Sequence, residues 1–344
     1  MTVALDATYS LGPALSGVGV YSRRLIEELV REAPEWKFLL CYRTNRFLRA
    51  LAQRLPGPNA RRCWMEEPWW TPRGVDLFHG LNQRLPARRY RRTVATFHDL
   101  FVMSGEYSTP EFRQRFTHLA RQAASRSDLI VTVSHHTARQ VEELLGVEPT
   151  RIRVVHHGAD LPPQHPSPNT QHPPQRPLLL HVGAIQTRKN IARLVAAVEG
   201  LDAELVLAGS DGYGAAEIRA RIEASPARER IRCLGYVDRA TLDGLYQTAA
   251  ALVFPSLEEG FGIPVLEAMA AGLPVVTSNR SGTAEAAGDA AVLVDPTDVE
   301  AIRAGIERAL GDAADLIRKG RERAAQFTWP RAARETLAVY RELL

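Results

Sequence analysis

The chain has 344 residues, 45% of them hydrophobic and 24% charged, and a formal net charge of +4. That length and apolar content suit two domains with separate cores and exclude a disordered or fibrous chain. No uncharged apolar run approaches the ~18 residues of a membrane span. The three cysteines (Cys41, Cys63, Cys233) are scattered and odd in number, which excludes a disulfide framework and fits a reducing compartment.

The charge is uneven in kind and in place. Of 43 basic residues only Lys37, Lys189 and Lys319 are lysines. Residues 1–160 hold 23 bases against 16 acids, and residues 161–344 hold 20 against 23. The general arginine excess reads as genomic base composition, but the difference in sign between the halves does not. The opening MTVALDATYS has no basic stretch followed by an apolar one, so no secretory leader is expected.

In chain order, strands are predicted over residues 2–8, 37–43, 75–80, 92–99, 128–134 and 151–157. Helical patterns lie between them at 21–33, 110–125 and 135–146. Ser134 is placed to cap the last of these helices and Gly146 to end it. Residues 161–177 then carry seven prolines in 17 residues, the composition of a semi-rigid linker. Strands are predicted again at 177–184, 203–210, 230–237, 251–256, 273–278 and 290–295, with helices at 190–201, 239–250, 263–272 and 298–311. Near-continuous apolar strands alternating with helices imply α/β, doubly wound parallel sheets. The expectation is two Rossmann-like domains, 1–160 and 178–327, facing an interdomain cleft, because open α/β sheets bind ligands at the carboxyl ends of their strands.

Five stretches could carry chemistry. In SGVGVYSRRL, Gly17 and Gly19 precede an amphipathic helix and let backbone approach an anion. As a dinucleotide fingerprint the stretch is incomplete, since Ser22 stands where a third glycine belongs, and a plain strand-to-helix loop is the alternative. In HVGAIQTRKN a strand ends at Gly183, and Arg188 and Lys189 stand just before a helix. Cations there oppose the helix dipole, and an anion such as a diphosphate would resolve the conflict. In SLEEGFGIPVLEAMAAGLPVV, Glu259 and Glu267 lie eight positions apart around a Gly260-Phe261-Gly262 turn. Both carboxylates can face one ligand and accept hydrogen bonds from vicinal hydroxyls. The N–H groups of Phe261, Gly262 and Ile263 are placed to receive a phosphate. In TFHDL, His98 ends a strand and could donate to, or polarise, a substrate hydroxyl or leaving group. Finally, residues 84–92 contain five arginines (Arg84, Arg88, Arg89, Arg91, Arg92) and residues 43–62 contain six, with no acid in either run. Such runs attract phosphates or anionic membranes, or are solvated surface. No metal-ligand spacing and no nucleic-acid-binding motif is present.

Taken together, these residues resemble GT-B fold, retaining glycosyltransferases of family 4, the glycosyl transferases group 1, over essentially the whole chain. EEGFGIPVLEAMAAGLPVV is similar to the family's E-x7-E motif and the strand after it. FTWPRAARETLAVYRELL is similar to the C-terminal helix, here 328–344, that crosses back to the N-terminal domain. DATYSLGPALSGVGVYSRRL, TFHDLF and HVGAIQTRKN resemble bacterial mannosyltransferase-type members, whose usual donor is GDP-mannose.

The resemblance implies roles. Glu259 would contact the donor sugar near the reacting centre and Glu267 the ribose. Phe261, Gly262 and Ile263 would offer N–H groups to the diphosphate. Arg188 and Lys189 would neutralise the diphosphate as it leaves, with Arg188 replacing an arginine that many members carry at the position of Ala184. The Gly17–Gly19 loop would close over the diphosphate, His98 would line the sugar pocket, and Val237 would contact the base. It further implies a retaining transfer without metal or cofactor, to a saccharide or lipid-linked saccharide acceptor, in bacterial polysaccharide or glycolipid synthesis. A cytoplasmic enzyme is expected, docked at the inner membrane face by Arg84, Arg88, Arg89, Arg91 and Arg92. A UDP- or dTDP-sugar donor and a non-catalytic nucleotide-sugar-binding protein are the other readings. A pyridoxal phosphorylase is disfavoured because Lys319 is a poor Schiff-base candidate, and a NAD dehydrogenase by the incomplete glycine pattern.

Overall fold

The computed structural model describes residues 1–12, 15–67, 69–160 and 176–344. The expected linker therefore lies outside the described residues, apart from Arg176 and Pro177. The chain divides into two compact units, Met1–Gly158 with Thr328–Leu344, and Ala159–Phe327. The boundary falls after Gly158, slightly before the expected 160. The physical reason is local: the Ala159 N–H donates to the Phe327 carbonyl at 3.1 Å, which starts the second unit there.

The first unit contains β1 (Thr2–Asp6), α1 (Gly17–Glu32), β2 (Lys37–Arg43), α2 (Thr44–Leu51), β3 (Ala60–Met65), β4 (Leu77–Gly80), β5 (Thr93–Phe97), α3 (Phe101–Ser104), α4 (Pro110–Arg126), β6 (Leu129–Thr132), α5 (His135–Leu145) and β7 (Ile152–Val154). Its seven strands are all parallel, in the order β3-β2-β1-β4-β5-β6-β7. The second unit contains β8 (Leu178–Val182), α6 (Ile191–Glu199), β9 (Glu204–Ala208), α7 (Ala215–Glu223), β10 (Ile231–Gly235), α8 (Arg239–Thr248), β11 (Ala251–Phe254), α9 (Ile263–Ala271), β12 (Val275–Ser278), α10 (Ser281–Ala287), β13 (Val292–Val294), α11 (Val299–Gly311) and α12 (Ala313–Ala324). Its six strands, also parallel, run β10-β9-β8-β11-β12-β13. The last helix, α13 (Trp329–Glu342), belongs to the first unit.

Local chemistry sets the helix ends. Ser134 caps α5 by accepting from the Thr137 N–H at 3.0 Å, and Gly146 ends it in the left-handed region at φ 65°. Thr109 caps α4 and Thr328 caps α13, each followed by a proline in the first turn. α1 begins at Gly17, not near residue 21. Glycine's low helix propensity hides the first turn from the sequence, but the Ser16 side chain caps it from the Gly19 N–H at 3.4 Å. A Cβ on Gly19 would lie 3.0 Å from the Tyr9 carbonyl, so packing requires glycine there.

β3, α7, α10 and α12 were not predicted. β3 reads ARRCWM, whose arginines break the apolar pattern, and as an edge strand it tolerates them. It also sets Cys63 opposite Cys41 on β2, both as free thiols.

One face of the first sheet is covered by α1 and α13, which bury Leu25, Leu29, Ala333 and Leu337 together. A buried polar chain crosses this layer. The Tyr21 hydroxyl meets Thr96 Oγ1 at 2.9 Å, Thr96 Oγ1 meets His79 Nε2 at 2.8 Å, and His79 Nδ1 meets the Tyr340 hydroxyl at 2.6 Å. α1, β5, β4 and α13 are thereby joined through groups that burial would otherwise leave unsatisfied. Among the described residues, no helix is long and apolar enough to cross a membrane.

Candidate active site

In the second unit, β8 continues outward to β9 and β11 to β12, so the strand order reverses between β8 and β11. Ligands bind outside the carboxyl ends of strands at such a switch point. After β8 the chain passes Gly183, makes a short turn at Thr187–Lys189, and enters α6 from Asn190, which is left-handed at φ 61°. The Asn190 side-chain amide donates to the carbonyls of Pro255 at 3.0 Å and Pro296 at 2.6 Å. The Leu257 N–H donates to the Arg188 carbonyl at 2.8 Å. These bonds hold the loops after β8 and β11 together and fix Arg188 and Lys189 against Glu259.

Glu259 is 8% exposed and Lys189 6%. Arg188 Nη1 lies 2.7 Å from Glu259 Oε1, and Lys189 Nζ pairs with the same oxygen. Burial alone would raise the Glu259 pKa, but Arg188 and then Lys189 outweigh it and hold the carboxyl at about 2. The anion that the sequence required beside the two cations is, in this state, a carboxylate of the chain itself. The Lys189 ammonium also lies 4.4 Å from the centroid of the Phe254 ring. His181 stacks on the other part of this cluster, its ring 5.4 Å from Phe254. Burial, then Lys189, lowers His181 to about 4. A Cβ on Gly183 would lie 3.2 Å from Lys189 Cε, so the glycine leaves room for the lysine stem.

Past Glu259 the chain turns tightly. Gly262, at φ 111°, opens α9 and directs its first-turn N–H groups outward. Phe261 is anchored by its side chain, 3% exposed and edge-to-face with Phe327 at 5.6 Å, which leaves its backbone at the turn. Ile263 is the first residue of α9. Glu267 is nearly buried, with Arg239 Nη1 at 2.5 Å from Oε1 and the Tyr246 hydroxyl donating to Oε2 at 3.1 Å. Burial raises its pKa in spite of Arg239. Glu259 and Glu267 are therefore held by separate sets of partners. Val237 is half-buried between Gly235, at φ 69°, and Asp238, the cap of α8.

In the first unit the expected glycine loop is the first turn of α1 itself. Among the described residues, nothing lies within 4 Å of a Cβ placed on Gly17. His98 follows β5 and is 6% exposed, edge-to-face with Tyr21 at 4.6 Å and with His157 at 5.4 Å. Its Nε2 lies 3.0 Å from the Leu81 carbonyl, which can only accept, so the ring proton is on Nε2. Burial lowers the ring's pKa to about 4. His98 is thus neutral with its lone pair on Nδ1. In this state the Nδ1 lone pair is the ring's accepting group.

The basic runs divide as well. Arg43 pairs with Asp6 at 3.2 Å and with Glu67, and Arg62 donates to the Ala50 carbonyl at 2.8 Å. Arg84 lies 3.8 Å from Glu67, and Arg92 donates to the Leu343 carbonyl at 2.7 Å. Of the five arginines in 84–92, Arg88, Arg89 and Arg91 are exposed.

Comparison with known proteins decides what such a chain is. Residues 15–162 match the family described as Glycosyltransferase Family 4, and residues 166–327 match Glycosyl transferases group 1. The O-antigen chain mannosyltransferase B of Escherichia coli is 30% identical, over 98% of this chain and 99% of its own length. The chain is a family 4 glycosyltransferase. The glycosyltransferase is also 28% identical to the serotype-specific mannosyltransferase WbdA of E. coli, over 74% of this chain and 34% of that longer relative. Sucrose-phosphate synthase from Thermosynechococcus elongatus superimposes with a TM-score of 0.78 at 24% identity, covering 100% of this chain and 99% of that one. Its two Rossmann-like units give the glycosyltransferase the GT-B fold.

Three partners of the site were not foreseen. Arg239 and Tyr246 lie on α8, where the arginine reads as a first-turn surface charge and the tyrosine as core. Phe254 reads simply as the end of an apolar strand. The sequence's one signal was that a tyrosine on a helix's core face carries a hydroxyl that needs a partner, and the structure buries Tyr246 fully. Replacing Tyr246 by phenylalanine is expected to lower stability by about 1–2 kcal/mol, because it deprives the buried Glu267 carboxylate of a donor. A thermal melt measures the effect, and an unchanged melting temperature would show that the hydroxyl contributes nothing.

Proposed function

We propose that this glycosyltransferase moves a mannosyl group from GDP-mannose to a saccharide or lipid-linked saccharide acceptor, with retention and without a metal ion. The observation that carries the nucleotide-diphosphate donor site is the Arg188–Lys189–Glu259 cluster at the switch point of the second unit. Mannose is favoured by the likeness to O-antigen chain mannosyltransferase B. Polysaccharide or glycolipid synthesis is the corresponding setting.

The chemistry follows from charge. Cleaving the bond between the anomeric carbon and the phosphate oxygen leaves an electron-poor sugar and a diphosphate with added negative charge. Arg188, Lys189 and the N-terminus of α9 would stabilise that diphosphate by preorganisation. Phe261, Gly262 and Ile263 would contribute backbone N–H groups. Glu267 would bind the ribose hydroxyls and Val237 the base. Glu259, held at about 2, is ionised at every working pH and would stabilise positive charge rather than donate a proton. His98, lowered to about 4 by burial, would accept from a sugar hydroxyl. Glu259 and His98 are both held below the neutral range. The acceptor's proton would therefore pass to the departing phosphate oxygen as the new bond forms on the same face.

Thermal-shift screening of GDP, UDP, dTDP and ADP tests the donor. GDP should give the largest shift, a larger UDP or dTDP shift would replace the donor, and equal negligible shifts would overturn the site. Turnover should survive excess EDTA, and the product's anomeric proton should report retention.

The same proposal places the enzyme at the cytoplasmic membrane face, held by Arg88, Arg89 and Arg91. Binding to anionic liposomes should fall steeply as salt rises. Replacing the three arginines by glutamine should abolish it, and salt-insensitive sedimentation would refute the contact.

A further inference from the structure

The first unit leaves three tryptophans in water around the end of β3. Trp64, in that strand, is 40% exposed, and Trp69 and Trp70 are 79% and 58% exposed. Clustered apolar surface of this kind marks a binding site more often than chance exposure does. Two of the rings are held in place. The Trp64 indole N–H donates to Thr44 Oγ1 at 2.8 Å, and its ring stacks on Trp70 with centroids 6.1 Å apart and planes 24° apart.

Backbone pairing adds a charge to this surface. Glu66 and Trp70 form an antiparallel bridge, with N–H to carbonyl distances of 2.7 and 2.6 Å. Residues directly opposed in such a bridge point to the same side, and so does the residue two before Glu66, which is Trp64. The Glu66 carboxylate therefore stands beside the stacked indoles. The next residue, Glu67, is tied to Arg43 at the end of β2 and accepts from the Ala87 N–H at 2.7 Å. Arg43 in turn holds Asp6 at the end of β1 at 3.2 Å. The surface is thus braced on the carboxyl ends of three neighbouring strands, the edge at which open α/β sheets take ligands.

We propose that Trp64, Trp70 and Glu66 form a saccharide-binding subsite that grips sugar residues of the acceptor chain. A pyranose presents a face of C–H bonds that packs on the electron-rich face of an indole. Its hydroxyls donate to the adjacent carboxylate. A lipid bilayer is the other class of partner for exposed tryptophan, but a carboxylate on the same face opposes entry into an anionic headgroup layer. The proposal rests on the saccharide-acceptor reading above.

The test uses the full chain with neutral polysaccharides, mannan and dextran, as probes in native affinity gels. The wild type should be retarded by at least one of them. Trp70→Ala should bind that polysaccharide about tenfold more weakly, the loss of one good contact, and Glu66→Gln should also bind more weakly. Trp70 is exposed and Glu66 only partly buried, so the melting temperature should hold, and the GDP-induced shift should be unchanged. With mannotetraose as acceptor, KM should rise in Trp70→Ala at unchanged kcat, while KM for mannose stays constant. No retardation of the wild type, or equal retardation of both variants, would overturn the subsite while leaving the donor reading intact. Loss of liposome binding in Trp70→Ala with polysaccharide binding preserved would overturn it in favour of the bilayer.

Discussion

Replacing Lys189 by methionine is expected to lower kcat by about 10²–10³-fold, the usual effect of removing one preorganised group from a developing anion. Methionine keeps most of the stem's volume, so the space left by Gly183 and the Phe254 face remains filled. What disappears is one of the two charges that hold Glu259 at about 2. Arg188 remains, 2.7 Å from the carboxylate, and its Nη1 also donates to the Glu258 carbonyl at 3.0 Å. It is therefore held more firmly than an ammonium on a flexible stem. Lys189→Arg should not restore the rate, because a bulkier planar fork replaces the compact ammonium that packs against Gly183 and the Phe254 face. Steady-state kinetics with a melt of each variant checks this, and activity within a few-fold of wild type in Lys189→Met would remove the lysine from the chemistry.

Mild acid should destabilise the protein well before its carboxylates titrate. His79, His98 and His181 are held at about 3, 4 and 4 by burial, and burial also drives His157 well below its ordinary 6.5. Each is neutral in the fold and free to take a proton once unfolded. Below pH 6.5 the unfolded chain binds protons that the fold excludes, so stability is complete above that pH and falls as pH drops toward 4. The loss is about 1.4 kcal/mol per pH unit for each of His79, His98 and His181, roughly 2 kcal/mol each at pH 5, and His157 adds to it in the same direction. Together these terms are comparable with a typical net stability of about 5–15 kcal/mol. Glu259 adds a later loss: its stabilisation is present above its ordinary 4.5 and disappears as pH falls toward 2. Urea midpoints at pH 7.5 and pH 5 should differ strongly, and equal midpoints would contradict the neutral, buried state of these rings.

Those histidines also show what a sequence can and cannot convey. The βα alternation and the Glu259–Glu267 motif were legible because each is written in one continuous stretch. Arg188 and Lys189 stood out because cations at a helix start contradict the dipole. Their partner was hidden, since it comes from the loop after β11, on the far side of the switch point. Arg239 and Tyr246 meet Glu267 only through tertiary packing. His98 could be placed at a strand end, but the Leu81 carbonyl that fixes its proton came from another loop. The arginine runs misled most: Arg43, Arg62, Arg84 and Arg92 are used inside the fold, and composition cannot distinguish them from Arg88, Arg89 and Arg91.

The return of α13 to the first unit has a consequence for how the chain is made. Ala159–Phe327 is continuous and can complete its core as soon as it leaves the ribosome. The first unit emerges earlier yet lacks Trp329, Leu337 and Tyr340, the side chains that cover Leu25 and Leu29 and close the chain of hydroxyls and imidazole through His79. Its apolar layer stays open until the final residues are synthesised. The half made first is thus the half finished last, and a chain that stops just after Phe327, before α13, has a complete second unit attached to an unfinished, aggregation-prone first one.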